Sequence, residues 1–322
     1  MLPDLSQFQV WFVTGSQNLY GSTVLEQVNE HSAQIAAAFN KDDLIPVSVV
    51  FKPVLRNAEE IFEILQAANV EKSCVGLILW MHTFSPAKMW INGLKVLNKP
   101  FVHLHTQFNR DIPWKTIDMH FMNLNQSAHG DREFGHICSR MRINRKVITG
   151  YWEEKEVRQE LGIWVRAACA WADWQGARFV RFGDNMRDVA VTEGDKVEAE
   201  LKFGYSVNTH GVGDLVAEIN QVQESEIDNL CQVYEQEYQM VDALKNERNE
   251  SLRVAAKIEL GLRKFLEKGN YKGFTDTFEV RIFFPFSFKT KEYFIGLGSS
   301  WSSTITRHCC STIDERWIWI RW

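Results

Sequence analysis

The 322-residue chain lacks the features that most directly announce a partner. Positive charge is not in excess: 36 Lys and Arg against 41 Asp and Glu leave a formal net charge of -5. The two signs are interspersed, which excludes a broad phosphate-binding surface and with it a nucleic-acid partner. No apolar run reaches the roughly 18 residues needed to cross a bilayer. The first residues, MLPDLSQFQVWFV, carry no basic segment ahead of their apolar stretch, so neither a membrane anchor nor a secretory signal is expected. Six cysteines form no CxxC pair and no disulfide-like spacing, which makes a reducing cytoplasm the expected location. Internal repeats and low-complexity segments are also missing. So are a GxGxxG fingerprint, a Walker lysine and an HExxH pair, the simplest arguments for a dinucleotide, a nucleoside triphosphate or a catalytic zinc.

What is present is an alternation of short apolar runs with amphipathic helical patterns. Strands are expected at Gln9–Thr14, Val47–Phe51, Val75–Trp80, Phe101–His105 and Lys146–Thr149. Helices are expected at Thr23–Phe39, Ala58–Ala68, Pro86–Leu97, about His129–Met141 and Lys155–Trp174. Nearly continuous apolar strands separated by helices imply a parallel sheet covered on both faces. Right-handed crossovers then give a doubly wound α/β domain with its functional loops at the carboxyl ends of the strands. The strand pattern restarts at Arg178–Phe182, after a boundary placed near residue 172. Leu252–Glu267 is the clearest late helix, with Val254, Ile258, Leu262 and Phe265 on one face.

Four segments carry candidate chemistry. Gly15-Ser-Gln-Asn-Leu-Tyr-Gly21 follows the first strand, and its Gln17 and Tyr20 suit a neutral polyhydroxyl ligand better than an anion; a plain strand-to-helix turn is the alternative. After the third strand, His82 and Phe84 are candidates, while Ser85 before Pro86 reads as a helix cap. His103 and His105 alternate on a strand. With His82, His120 and His129 they raise a metal cluster, against which stands the commoner role of a strand histidine as a hydrogen-bonded core residue. Asn125, Gln126 and His129 open a helix and can bond hydroxyl groups; alternatively Ser127 merely caps that helix, with Arg132 and Glu133 solvated. Asp184 and Asn185 lie on a strand-ending loop, with a simple turn as the alternative reading.

Taken in order, the strings VWFVTGSQNLYG, WMHTFSPAKMWINGLKVLNKP, HTQFN, DMHFMNLNQSAHGDREFG, RFGDNMRDVAVTEGDKV, KFGYSVNT and GFTDTFE closely resemble L-arabinose isomerase, from about residue 9 to Glu279. The resemblance implies a Rossmann-like doubly wound domain (1–172) followed by an incomplete second α/β domain (173–279). It implies a homo-oligomer, a hexamer in the family, that converts an aldopentose to its ketopentose with manganese, Mn2+. It assigns sugar-pocket roles to Gln17, Leu19 and Tyr20. Phe84, Gln126 and His129 match residues that approach the pocket across a subunit interface, and Met186 and Phe278 match apolar residues lining it. A nucleotide-binding oxidoreductase fails for want of a glycine fingerprint.

The resemblance stops at Val280. The family's two metal-binding glutamates and two metal-binding histidines follow that point and have no counterpart here, so no retained catalytic residue and an inactive chain are expected, with a non-catalytic sugar- or subunit-binding fragment as the alternative. Residues 280–322 show neither helix nor strand periodicity, and four of the 12 tryptophans fall in the last 22 residues. Shifting the reading frame by one base from Gly298 turns Trp301, Trp317, Trp319 and Trp322 into glycine codons. The result runs QLPGIVVQ and then GFGFGG, close to the family's continuation. A retained short intron between Glu279 and Gly298 is therefore the expected origin of this segment.

Overall fold

A computed structural model describes residues 5–186, 188–190, 193–240 and 249–276; Phe278 and the aromatic segment 280–322 lie outside them. The chain divides between residues 173 and 174 into two compact units.

The first unit is built on five strands: β1 (Gln9–Thr14), β2 (Ser48–Phe51), β3 (Cys74–Trp80), β4 (Phe101–His105) and β5 (Lys146–Thr149). Their order is β2-β1-β3-β4-β5 and every pairing is parallel. Burial of both faces explains the unbroken apolar runs. All seven residues of β3, CVGLILW, are buried, and alternate side chains enter different cores. Val10, Phe12, Ile78, Trp80, Val102 and Leu104 pack with α1 (Gly21–Asn40) and α6 (Lys155–Trp174) through Ile35, Phe39, Leu161 and Val165. Trp11, Val13, Leu77, Leu79 and Phe101 pack on the opposite face. There they meet Ile61 and Leu65 of α2 (Ala58–Val70), Leu94 of α3 (Ile91–Val96) and Phe134 of α5 (Ser127–Arg140). At about 1.5–3 kcal/mol for each large apolar side chain removed from water, these two layers dominate the stability of the unit.

Local chemistry sets the helix ends. The Asn57 side chain accepts from Glu60 N at 2.9 Å and caps α2. The short α4 (Met119–Leu124) is capped in the same way by Asp118, through Phe121 N at 2.8 Å. The single helix expected over 86–97 is instead a 3₁₀ turn, Ala87–Trp90, leading into α3. Ser85 does not cap it. Its hydroxyl is buried and accepts from Trp90 Nε1 at 3.0 Å, while the open Ala87 N–H donates to the Glu133 carboxylate at 2.7 Å. Glu133 is thereby bonded rather than merely solvated. Ser127 likewise does not cap α5; its hydroxyl donates to Thr106 O at 2.6 Å and ties the helix to the end of β4.

In the second unit β6 (Arg178–Phe182) lies between β7 (Ser206–His210) and β8 (Gly273–Asp276), all parallel. Phe179 packs with Ala199 of α7 (Lys196–Phe203) and with Tyr205. Val180 and Phe182 face the other way, toward Leu215 and Ile219 of α8 (Val212–Asn220) and Leu262 and Leu266 of α10 (Asn249–Gly269). The inward face of α10 thus includes Ala256 and Leu266, which the expected Val254–Phe265 stripe did not contain. Ion pairs tie α10 to α9 (Glu224–Glu237): Lys264 to Glu226 at 2.6 Å, and Arg253 to both Glu224 and Asp228.

Burial, not these surface pairs, should hold the second unit together. Phe182→Ala is expected to cost about 3–5 kcal/mol and to accelerate amide hydrogen exchange along β6 and β7. Arg253→Ala should leave that exchange close to wild type.

A candidate sugar-binding site at the β1–β3 switch point

The strand order reverses direction at β1: β2 flanks it on one side and β3 on the other. The connections leaving the carboxyl ends of β1 and β3 therefore turn to opposite faces and open a crevice, the usual ligand position in such sheets. The loop after β1 begins at Gly15, whose N–H donates to Trp80 O at 2.9 Å. A β-carbon there would lie 2.7 Å from Ser85 Oγ and from the Trp90 ring, so the two loops can approach only because residue 15 has no side chain. The Ser16 and Thr83 hydroxyls, both buried, bond at 2.8 Å.

Next along the loop, two side chains grip the backbone of one residue after β3, Phe84, on both sides of its α-carbon. Gln17 Nε2 donates to Phe84 O at 3.0 Å, and Phe84 N donates to the Tyr20 hydroxyl at 3.2 Å. The Phe84 ring lies against His129 of α5, with centroids 4.7 Å apart. Four of the residues expected from sequence thus converge: Gln17, Tyr20, Phe84 and His129. Gln126, three residues before His129, stands at the start of α5, where its amide donates to Asn123 Oδ1 at 3.1 Å. Leu19 is 84% exposed at the tip of the first loop. Met186 is half-buried on the segment after β6, in the second unit, and Phe278 lies outside the described residues. The converging groups are neutral donors and acceptors beside an aromatic face, an arrangement matched to hydroxyl groups and C–H surface.

The other histidines play different parts. His82, a functional candidate by sequence, is wholly buried. Its Nε2 lies 2.9 Å from His31 Nδ1, one ring donating to the other. The rings form a column: Trp80 on His82 at 4.3 Å, and His31 on Phe108 at 3.6 Å. His103 is buried against Asp131 at 2.5 Å, and the same carboxyl lies 3.4 Å from His105. His120 and His129 are exposed. Among the described residues no three His, Cys, Asp or Glu side chains gather to hold a metal ion. The donor set therefore does not fit the manganese that the resemblance implies. A cavity of about 330 Å³ between the end of α1 and the entry to α6 lies apart from the loop cluster and is lined by Ala38, Phe39, Trp152, Glu153 and Arg158.

His31 and Asp131 were not singled out from sequence, although each carried a signal. His31 falls in register with the buried Val28, Ser32 and Ile35 of α1. Asp131 falls in register with Ser127, Phe134 and Cys138 of α5. A titratable group in an apolar helix stripe is the informative exception to the pattern.

Burial lowers the pKa of His82 to about 3 and that of His31 to about 4. Burial, followed by the Arg145 charge, lowers His103 to about 4. A lowered imidazole contributes stability that is present above its unfolded value of 6.5 and lost as the pH falls through the folded value. Thermal stability of the first unit should therefore drop between about pH 6 and pH 3. His82→Gln, which keeps a polar group beside His31, should flatten that drop in a calorimetric pH series.

Comparison with known proteins accounts for nearly all of the described chain. The sequence model of the L-arabinose isomerase N-terminal domain matches residues 4–176, and that of the L-arabinose isomerase central domain matches residues 178–282. The L-arabinose isomerase of Herpetosiphon aurantiacus is 60% identical over 278 residues, covering 86% of this chain and 56% of the relative. The proteins of that name from Koribacter versatilis and Geobacillus stearothermophilus are 58% and 55% identical, again over 56% of their own lengths. The chain thus spans a little over half the length of the curated relatives it matches. With an α/β architecture of two parallel sheets and both domain types in the family's order, the chain belongs to the L-arabinose isomerase family.

Proposed function

We propose that these residues form the hydroxyl-binding part of an aldose–ketose isomerase of pentose catabolism, acting on L-arabinose in the cytoplasm as part of a homo-oligomer. The observation that carries this reading is the double grip of Gln17 and Tyr20 on Phe84 at the switch point. It leaves the Gln17 side-chain oxygen Oε1 and the Tyr20 hydroxyl proton for another partner, next to the Phe84 and His129 rings. A sugar offers the complementary groups: hydroxyls to the polar pair and a C–H face to the aromatic one. Family resemblance assigns sugar-contact roles to Leu19 and Gln126 as well, and to Met186 and Phe278 of the second unit. No lysine or arginine takes part in this cluster, which disfavours a sugar phosphate.

The chemistry of isomerisation in this family rests on manganese, which polarises the sugar oxygens, and the described residues do not provide its ligands. Binding without turnover is accordingly the expected behaviour of the 322 residues by themselves. That same observation favours a second reading, a non-catalytic fragment that binds sugar or another subunit.

Saturation-transfer NMR with L-arabinitol should show contact with this chain and not with glycerol at the same concentration. Gln17→Ala and Tyr20→Phe should each weaken binding about tenfold, or about 1.4 kcal/mol. Ketopentose formed from L-arabinose by these residues with added manganese would contradict the binding-only expectation. Loss of arabinitol contact, with subunit association intact, would leave only the fragment reading.

A further inference from the structure

The first turn of α5 presents Gln126 and His129, the latter exposed. The anchoring comes from the opposite side of the helix. Ser127 bonds Thr106 O. Gly130 lies so close to the loop after β3 that a β-carbon would come within 2.9 Å of Thr83 O. One residue on, Asp131 is buried with its carboxyl between two histidines of β4. Oδ1 is 2.5 Å from His103 Nε2, and Oδ2 is 3.4 Å from His105 Nε2. The two imidazole rings are parallel, their planes 7° apart and their centroids 6.3 Å apart; the carboxyl is hydrogen-bonded to His103 through Oδ1, and Oδ2 lies near His105 without a hydrogen bond. At 100° per residue, His129 lies about 200° around the helix from Asp131. A carboxyl locked into β4 therefore sets the rotation and depth at which His129 meets Phe84.

We infer that Asp131 is a positioning residue of the sugar site, acting through α5 on His129 and Gln126, with His103 as its hydrogen-bonded seat and His105 beside it. This deepens the sugar-site reading and rests on it for the role of His129, but the seat itself stands on the geometry above.

The seat also has a definite protonation chemistry. The groups that act on it are His103 and His105 from β4 and, through His103, Arg145 ahead of β5. Burial raises the Asp131 carboxyl to about 8 against a weaker opposing effect of His105. Burial also keeps His103 neutral above about pH 4. At neutral pH the carboxylic acid O–H therefore donates to His103 Nε2, and the imidazole proton sits on Nδ1, which is buried without a hydrogen-bond partner. As the pH passes about 8 the carboxyl ionises and loses that proton to solvent. The remaining imidazole proton is then better placed on Nε2, where it can donate to the carboxylate. The contact survives while the tautomer of His103 reverses.

The test uses the full chain, labelled with ¹⁵N at histidine, and needs no enzyme activity. In the wild type, His129 ring protons should be shifted by the Phe84 ring, and His103 should exchange its protonated nitrogen from Nδ1 to Nε2 near pH 8. Asp131→Ala should remove more than half of the His129 ring-current shift while amides of β3 stay protected. Asp131→Asn, whose amide can still donate to Nε2, should restore the His129 shift and abolish the tautomer exchange. An unchanged His129 shift in Asp131→Ala would overturn the inference, as would a tautomer exchange that persists in Asp131→Asn or is missing from the wild type. Should Asp131→Ala fail to fold, the Asp131→Asn comparison decides alone. Arabinitol contact measured in the same samples reports separately on the sugar reading: its absence with an intact His129 response would sink that reading and leave the seat standing.

Discussion

Burial of the first sheet on both faces is the constraint on which the rest of this structure depends. A parallel strand with helices above and below has no solvent-facing side, so β3 must be apolar at every position. Crossover connections must also return each helix to one face or the other. The order β2-β1-β3-β4-β5 then leaves a single place, beyond β1 and β3, where neighbouring connections part. The loop cluster of Gln17, Tyr20 and Phe84 occupies that place because the topology opens a crevice there.

Polar groups buried by this arrangement had to find partners, and the partners explain the histidines. His82, on the loop after β3, and His103 of β4 are buried and are each matched with one other titratable side chain, His31 and Asp131 respectively. An unpaired polar group in such a layer would cost about 1–3 kcal/mol. These pairs are scaffolding with consequences for protonation. The four cysteines among the described residues are all buried, and burial pushes the Cys138 and Cys169 thiols up to about 11. They are packing residues with little thiolate at neutral pH.

Much of the first unit was legible in the amino-acid sequence. Its five strands and the helices at Ala58–Val70 and Lys155–Trp174 follow directly from apolar period and length. The 3₁₀ turn at Ala87–Trp90 was not, because its cause is tertiary: Ser85 is spent on the Trp90 indole and Glu133 reaches across from another helix. The stretch between Phe182 and Leu252 gave no expected helix or strand, and β7 and α7 show why. β7 reads SVNTH, polar and only half-buried, while Val197 and Leu201 of α7 point outward, blurring the helical stripe. For the site, composition and spacing reached neutral hydroxyl-binding loops, and the roles of Leu19, Met186 and Phe278 rested on family resemblance. The register of Asp131 in α5 was visible, but its meaning required the strand opposite.

The grip on residue 84 is made entirely through its backbone: Gln17 holds the carbonyl and Tyr20 the amide. Anchorage of the loop and the identity of its side chain are therefore separable. A smaller or more polar residue could replace phenylalanine without loosening the loop, altering the surface offered to a ligand while the scaffold stays the same. Within this fold, position 84 is where the ligand preference could drift at little structural cost, and where a designer seeking a different sugar would have the most freedom.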